Sequence, residues 1–160
     1  MKTPIALTAQ RLVIRRLKRI RRDDGFNTDA GLHVFHGPIS VTDEIEYAIA
    51  VQFSQEEPRS GTGSGTTRSY KIDRTATVTG VIVSDPKCER GEALEYLLAD
   101  IKSALFLYEV PKTDPQNELG PVSYQSSRLV PRADGNEFES VEVTAGFAYM
   151  EGYGDPYAAR

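Results

Sequence analysis

Tryptophan is absent from these 160 residues, cysteine occurs once, at Cys88, and histidine twice, at His33 and His36. A lone cysteine excludes an internal disulfide, and neither histidine has a serine or cysteine partner in the sequence pattern, so redox and nucleophilic chemistry are not indicated. On an extended segment the three-residue spacing of His33 and His36 sends the two rings to opposite faces, a poor geometry for one metal ion. Long apolar runs are missing as well. Ala104 to Tyr108, which no other run exceeds, falls far short of the roughly 18 residues that read as a membrane span, so no membrane contact is expected. Met1 to Gln10 lacks a basic segment followed by an apolar run of signal-peptide length, which leads to the expectation of synthesis and residence in the cytosol.

Catalytic patterns are equally scarce. The acidic pairs Asp23-Asp24, Asp43-Glu44 and Glu56-Glu57 each adjoin a turn, where solvated carboxylates are common, and none has a partner that would raise a pKa. The glycine-rich stretch Gly61 to Thr67 lacks the lysine of a phosphate-binding loop and is followed by a strand pattern where that loop needs a helix. No catalytic residue, cofactor or metal is therefore expected, and the chain does not read as an enzyme.

What the sequence does contain is charge asymmetry and clear periodicity. Eight of the nineteen basic side chains fall within residues 1–22, which hold no acid; the remaining eleven share residues 23–160 with all twenty-three acids. The first segment thus carries +8 and the rest −12. Such a split suits nucleic acid or the acidic surface of a neighbouring copy, and sign alone does not choose between them.

Thr3 and Pro4 read as an N-cap and first helical residue. From there Ala6, Ala9, Val13, Leu17 and Ile20 recur at three- and four-residue steps, predicting one apolar stripe flanked by Arg11, Arg15, Arg16, Lys18, Arg19 and Arg22 and ended by Asp23-Asp24-Gly25. Leu32 to His36 reads as a short strand. Ile45, Tyr47, Ile49, Val51 and Phe53 alternate strictly, which predicts five side chains on one sheet face. The polar stretch at about 54–69 predicts a flexible loop before alternation resumes at Tyr70 and runs to Val83. Asp85-Pro86 repeats the cap-and-proline signal, and Leu94, Leu97, Leu98, Ile101, Leu105 and Tyr108 make a second helical stripe that should end near Pro111. Val122 to Val130 and Glu139 to Tyr149 read as a final strand pair joined through Asp134-Gly135. A chain of this length buries about 70% of its unfolded surface, enough for one core, and residues 1–160 are expected to form one domain.

This order of elements, with the basic first helix running into Asp24-Gly25-Phe26, the segment Ala99-Asp100-Ile101-Lys102 in the second helix, and the alternating last strand before Asp155-Pro156-Tyr157, resembles a bacteriophage tail terminator. The resemblance spans essentially residues 4–157. It implies an α+β subunit, a mostly antiparallel sheet with two long helices packed on one face. Such subunits form a homohexameric ring that caps the tail tube, stops its polymerisation and offers a surface to the head–tail connector protein. The implied partners are further copies of the chain, the tail-tube protein and the connector, with DNA passing through the ring without specific binding. The implied location is the virion tail or neck, after assembly in the host cytoplasm. Arg15, Arg19, Arg22, Arg59 and Arg68 are the candidate interface residues. A neck or connector protein touching DNA through Arg15, Arg19 and Arg22, and a tail-tube subunit, are the alternatives.

Overall fold

Strict alternation builds the centre of the molecule. In the computed structural model, which describes residues 2–39, 45–59, 61, 68–83, 89–107, 121–130 and 138–157, the strands are β1 (Val34–His36), β2 (Tyr47–Phe53), β3 (Glu57–Pro58), β4 (Ser69–Ile82), β5 (Ser123–Val130) and β6 (Ser140–Gly152). The helices are α1 (Ile5–Leu17) and α2 (Arg90–Phe106). The strands form one sheet in the order β1-β2-β4-β6-β5, with β3 pairing beside β4. The fold is α+β, but the sheet is mixed and not mostly antiparallel as expected: β1 runs parallel to β2, whereas the other pairings are antiparallel. A parallel pair of this kind is not a hairpin, which would have reversed the chain direction.

Register sorts the side chains into two faces. Tyr47, Ile49 and Val51 lie level with Ile82, Gly80 and Val78, of which Gly80 and Val78 lie level in turn with Val141 and Val143 on β6. These residues are buried in one cluster with Val13 and Leu17 of α1 and Leu97, Ile101 and Leu105 of α2, so both helices cover the same face. Burying each Leu, Ile or Val here contributes about 2 kcal/mol relative to leaving it in water. Gly80 permits the close approach: a Cβ there would stand 2.9 Å from side-chain atoms of both Leu97 and Ile101. Ile45 departs from the expected five-residue stripe. It precedes β2 and packs on the opposite face with Ala48 and Val81.

The first helix is shorter than its stripe suggests. Pro4, not Thr3, is the N-cap of α1, without a side-chain cap; the Ile5 amide instead donates to the Pro156 carbonyl, 3.0 Å away, so the far end of the chain satisfies a free helix donor. α1 stops at Leu17, and a tight turn through Ile20 N–H to Leu17 O, 3.0 Å, still delivers Ile20 to the core. A short 3-10 segment, Arg22–Asp24, then ends at Gly25, whose φ of 88° lies in the left-handed region, where glycine carries no Cβ penalty. The expected Asp85-Pro86 cap, Cys88, the Tyr108 and Pro111 end of the second helix and the Asp134-Gly135 turn lie outside the described residues. So do residues 60 and 62–67 of the expected loop at 54–69. Within that loop Glu57–Pro58 is a strand, and the Arg59 amide continues the pairing to Lys71 O at 2.8 Å.

Candidate assembly surfaces

The basic helix does not present one undivided cationic face. Arg15 and Arg19 are exposed, and both take part in interactions within the chain. Arg16 turns inward. It is 9% exposed, and its Nη1 donates to Leu105 O at 3.0 Å; a cation thus meets a late carbonyl of α2, where the helix dipole is negative and the carbonyls lack helical partners. Arg22 sits beyond α1 in the 3-10 segment and is held by Asp29, at 3.2 Å, and Glu46, at 3.5 Å, while its Nε donates to Asn27 O. Arg15, Arg19 and Arg22 therefore do not share one helix face. The exposed basic surface comprises Arg11, Arg15, Lys18, Arg19 and Arg21, with the ion-paired Arg22 also exposed.

One carboxylate fixes the turn that follows α1 to the second helix. Asp100 is 2% exposed; Oδ1 accepts from the Asn27 amide and Nδ2, and Oδ2 from the Thr28 amide and Oγ1, at 2.8–3.1 Å. Four donors on one carboxylate meet the demand that a buried charge be fully hydrogen-bonded. A signal for this role was present in the sequence, since Asp100 stands at helical spacing from Ala93, Leu97 and Ala104, inside an otherwise apolar face.

Arg59 and Arg68 lie far from the basic helix surface in sequence and occupy the other end of the long strands. Arg59 pairs with Asp73. Arg68 stacks on Tyr70, 5.8 Å from the ring centroid, and Tyr70 meets Tyr153 at 5.6 Å. Arg59 and Asp73 belong to a groove of about 380 Å³, walled on one side by Glu57 and Arg59 and on the other by Ser123 and Gln125. On the helix side of this end, Tyr149 donates to Glu56 at 2.7 Å, and Arg74 stands 3.6 Å from the same carboxylate. Burial, and then the bond to Glu56, push the Tyr149 hydroxyl above its ordinary pKa. Burial, with the charges of Glu56 and Asp155, raises Glu151. Glu56 was read only as a member of an acidic pair and Tyr149 only as a strand residue, and their contact with each other and with Arg74 was not legible, because segments distant in the sequence bring them together.

Two further surfaces belong to the sheet. The face away from the helices is covered at one end by the cluster around Ile45, Ala48 and Val81; further along it exposes the partly buried Thr75, Thr77, Thr79 and Thr144. β5 stands last in the strand order and pairs only with β6 among the described strands. Among the described residues no group of three or more potential ligands could hold a metal ion, and no helix is long and apolar enough to cross a membrane. The chain matches no protein-family model and no curated protein.

Proposed function

We propose that this protein is a structural virion subunit that caps a phage tail tube as a ring, ends tube polymerisation and offers a surface for the head–tail connector. The observation that carries the reading is the one-sided layering of the sheet. Two helices occupy one face, while much of the other is a threonine-bearing surface on which no helix or second sheet packs among the described residues. A ring cap needs separate surfaces for its neighbours, for the tube and for the connector, and this architecture supplies a basic helical surface, an open sheet face and sheet edges. Recognition then proceeds by edge and shape complementarity and needs no bond chemistry. The concentration of positive charge at residues 1–22 against the acidic remainder favours oriented contacts between copies, giving register and selectivity more than raw affinity.

The exposed Arg11, Arg15, Lys18, Arg19 and Arg21 favour a second reading, a neck or connector protein that touches DNA, whose affinity would fall steeply with salt. The test is the mass of the purified protein across concentration and salt, followed by negative-stain imaging and a capping assay on tail tubes. Closed rings that arrest tube growth are the expected result. Open tubes would move the assignment to a tail-tube subunit, and a monomer that leaves tube growth unaffected would overturn the cap.

A further inference from the structure

We propose that neighbouring copies join edge to edge, β5 of one copy pairing antiparallel with β1 of the next, so that the sheets merge into one continuous sheet around the ring. The inference rests on the ring reading and adds which strands make the joint.

The two outer strands stand at the same level. Leu129 lies opposite Val141, Val141 opposite Gly80, Gly80 opposite Ile49 and Ile49 opposite Val34. The next rows run from Arg128 to Phe35 and from Ser127 to His36 through the same strands. Direction follows from the same pairings. β1 is parallel to β2, and three antiparallel steps from β2 through β4 and β6 reach β5, so β5 runs opposite to β1. Rotation about an axis along the strands preserves strand direction. The next copy then presents β1 antiparallel to β5, the slightly more stable pairing.

Among the described residues no strand pairs with the outer edge of β1 or of β5. His33 O accepts from Ile49 N at 2.8 Å and Gly37 N donates to Val51 O at 3.0 Å, so alternation aims the N–H and C=O of Val34 and His36 at the outer edge. β5 is eight residues long, and its irregularity falls between Tyr124 and Ser126, leaving Ser126 to Val130 regular. It holds neither proline nor lysine, two usual guards of an exposed edge. Its one cation, Arg128, is held by Glu142 through two bonds of 3.0 and 3.1 Å. Leu129 is 45% exposed and shares a face and level with Val34. Head-to-tail joining of two different edges makes a heterologous contact, which closes into a ring when the rotation closes.

Cysteine cross-linking tests the joint. In a C88S background, V34C, F35C or H36C is combined with S127C, R128C or L129C in one chain and oxidised, with V34C plus E95C on α2 as the control. The expected result is a ladder of disulfide-linked multimers ending at the ring size for at least one combination and none for the control. Dimers from L129C alone would mean that two β5 edges pair with each other, which overturns the joint. Rings seen by mass without any ladder would overturn the joint and leave the ring reading standing. A monomer at every concentration that also leaves tube growth unaffected would overturn both. An extended peptide from the tail-tube protein that protects the β5 amides from hydrogen exchange in intact rings would show that the edge serves another partner, again against the proposal.

Discussion

Asp100 of α2 and Thr28, in the turn that follows α1, are joined by two 2.8 Å hydrogen bonds to one carboxylate oxygen, from the Thr28 amide and from its hydroxyl. Both residues are buried, and the other oxygen is occupied by Asn27. Substitution of Asp100 by alanine leaves buried donors without an acceptor, each costing about 1–3 kcal/mol. D100A should lower the unfolding free energy by about 2–4 kcal/mol in urea titration, with little change in the slope, because the fold is retained. A loss below about 0.5 kcal/mol would show that the clasp does not hold the turn to α2.

Gly80 should tolerate no side chain. Alanine there presses on Leu97 and Ile101 at 2.9 Å, and overpacking of this kind costs about 1–3 kcal/mol. Gly31 is tighter still, since its Cβ would meet backbone atoms of Ile20 and Leu17 at 2.7–2.8 Å, which cannot swing aside as a side chain can. G31A should therefore destabilise more than G80A by chemical denaturation, and the reverse order would refute the packing account.

Glu151 gives the pH dependence a sign. Its pKa is raised in the folded protein by burial first and then by the charges of Glu56 and Asp155. The folded state therefore binds more protons than the unfolded state at mildly acidic pH, and stability falls as pH rises from the ordinary glutamate pKa to the raised one. E151Q removes this cost. The variant should melt higher than the parent at pH 7, and the gap should shrink as pH falls below the raised value. A gap that widens on acidification would contradict the assignment.

The exposed basic surface is expected to act between copies. R11E combined with K18E reverses two exposed charges and should shift ring formation to at least tenfold higher protein concentration in sedimentation at low salt, an effect that converges with the parent at high salt. R22E belongs to a different class. It places a carboxylate beside Asp29 and Glu46, so a fall in melting temperature is expected even in the monomer, and the triple change of Arg15, Arg19 and Arg22 to glutamate would mix the two effects. Unchanged assembly of R11E/K18E at low salt would remove this surface from the interface.

Several elements were legible from spacing alone. Val141, Val143, Ala145, Phe147 and Tyr149 are buried as their alternation predicts, and so are Leu94, Leu97, Ile101 and Leu105 at helical steps. The ends were not legible. Ile20 stays in phase with the α1 stripe and is fully buried, yet the helix has already stopped at Leu17, because a turn can deliver an apolar side chain as well as a helix can. Arg22 likewise looked like part of the helical flank, while its partners Asp29 and Glu46 were invisible until the chain folded back.

Local periodicity by itself determined that two amphipathic helices and several alternating strands exist, because a side chain's face depends on 3.6- and 2-residue repeats within its own segment. Tertiary structure decided how those segments are ordered. It set β1 parallel to β2, turned Arg16 inward, closed Asp100 on Thr28 and left β5 outermost among the described strands. Each of these depends on groups distant in the chain meeting at hydrogen-bonding range, and local spacing carries no information about which distant strand or carbonyl will be the neighbour.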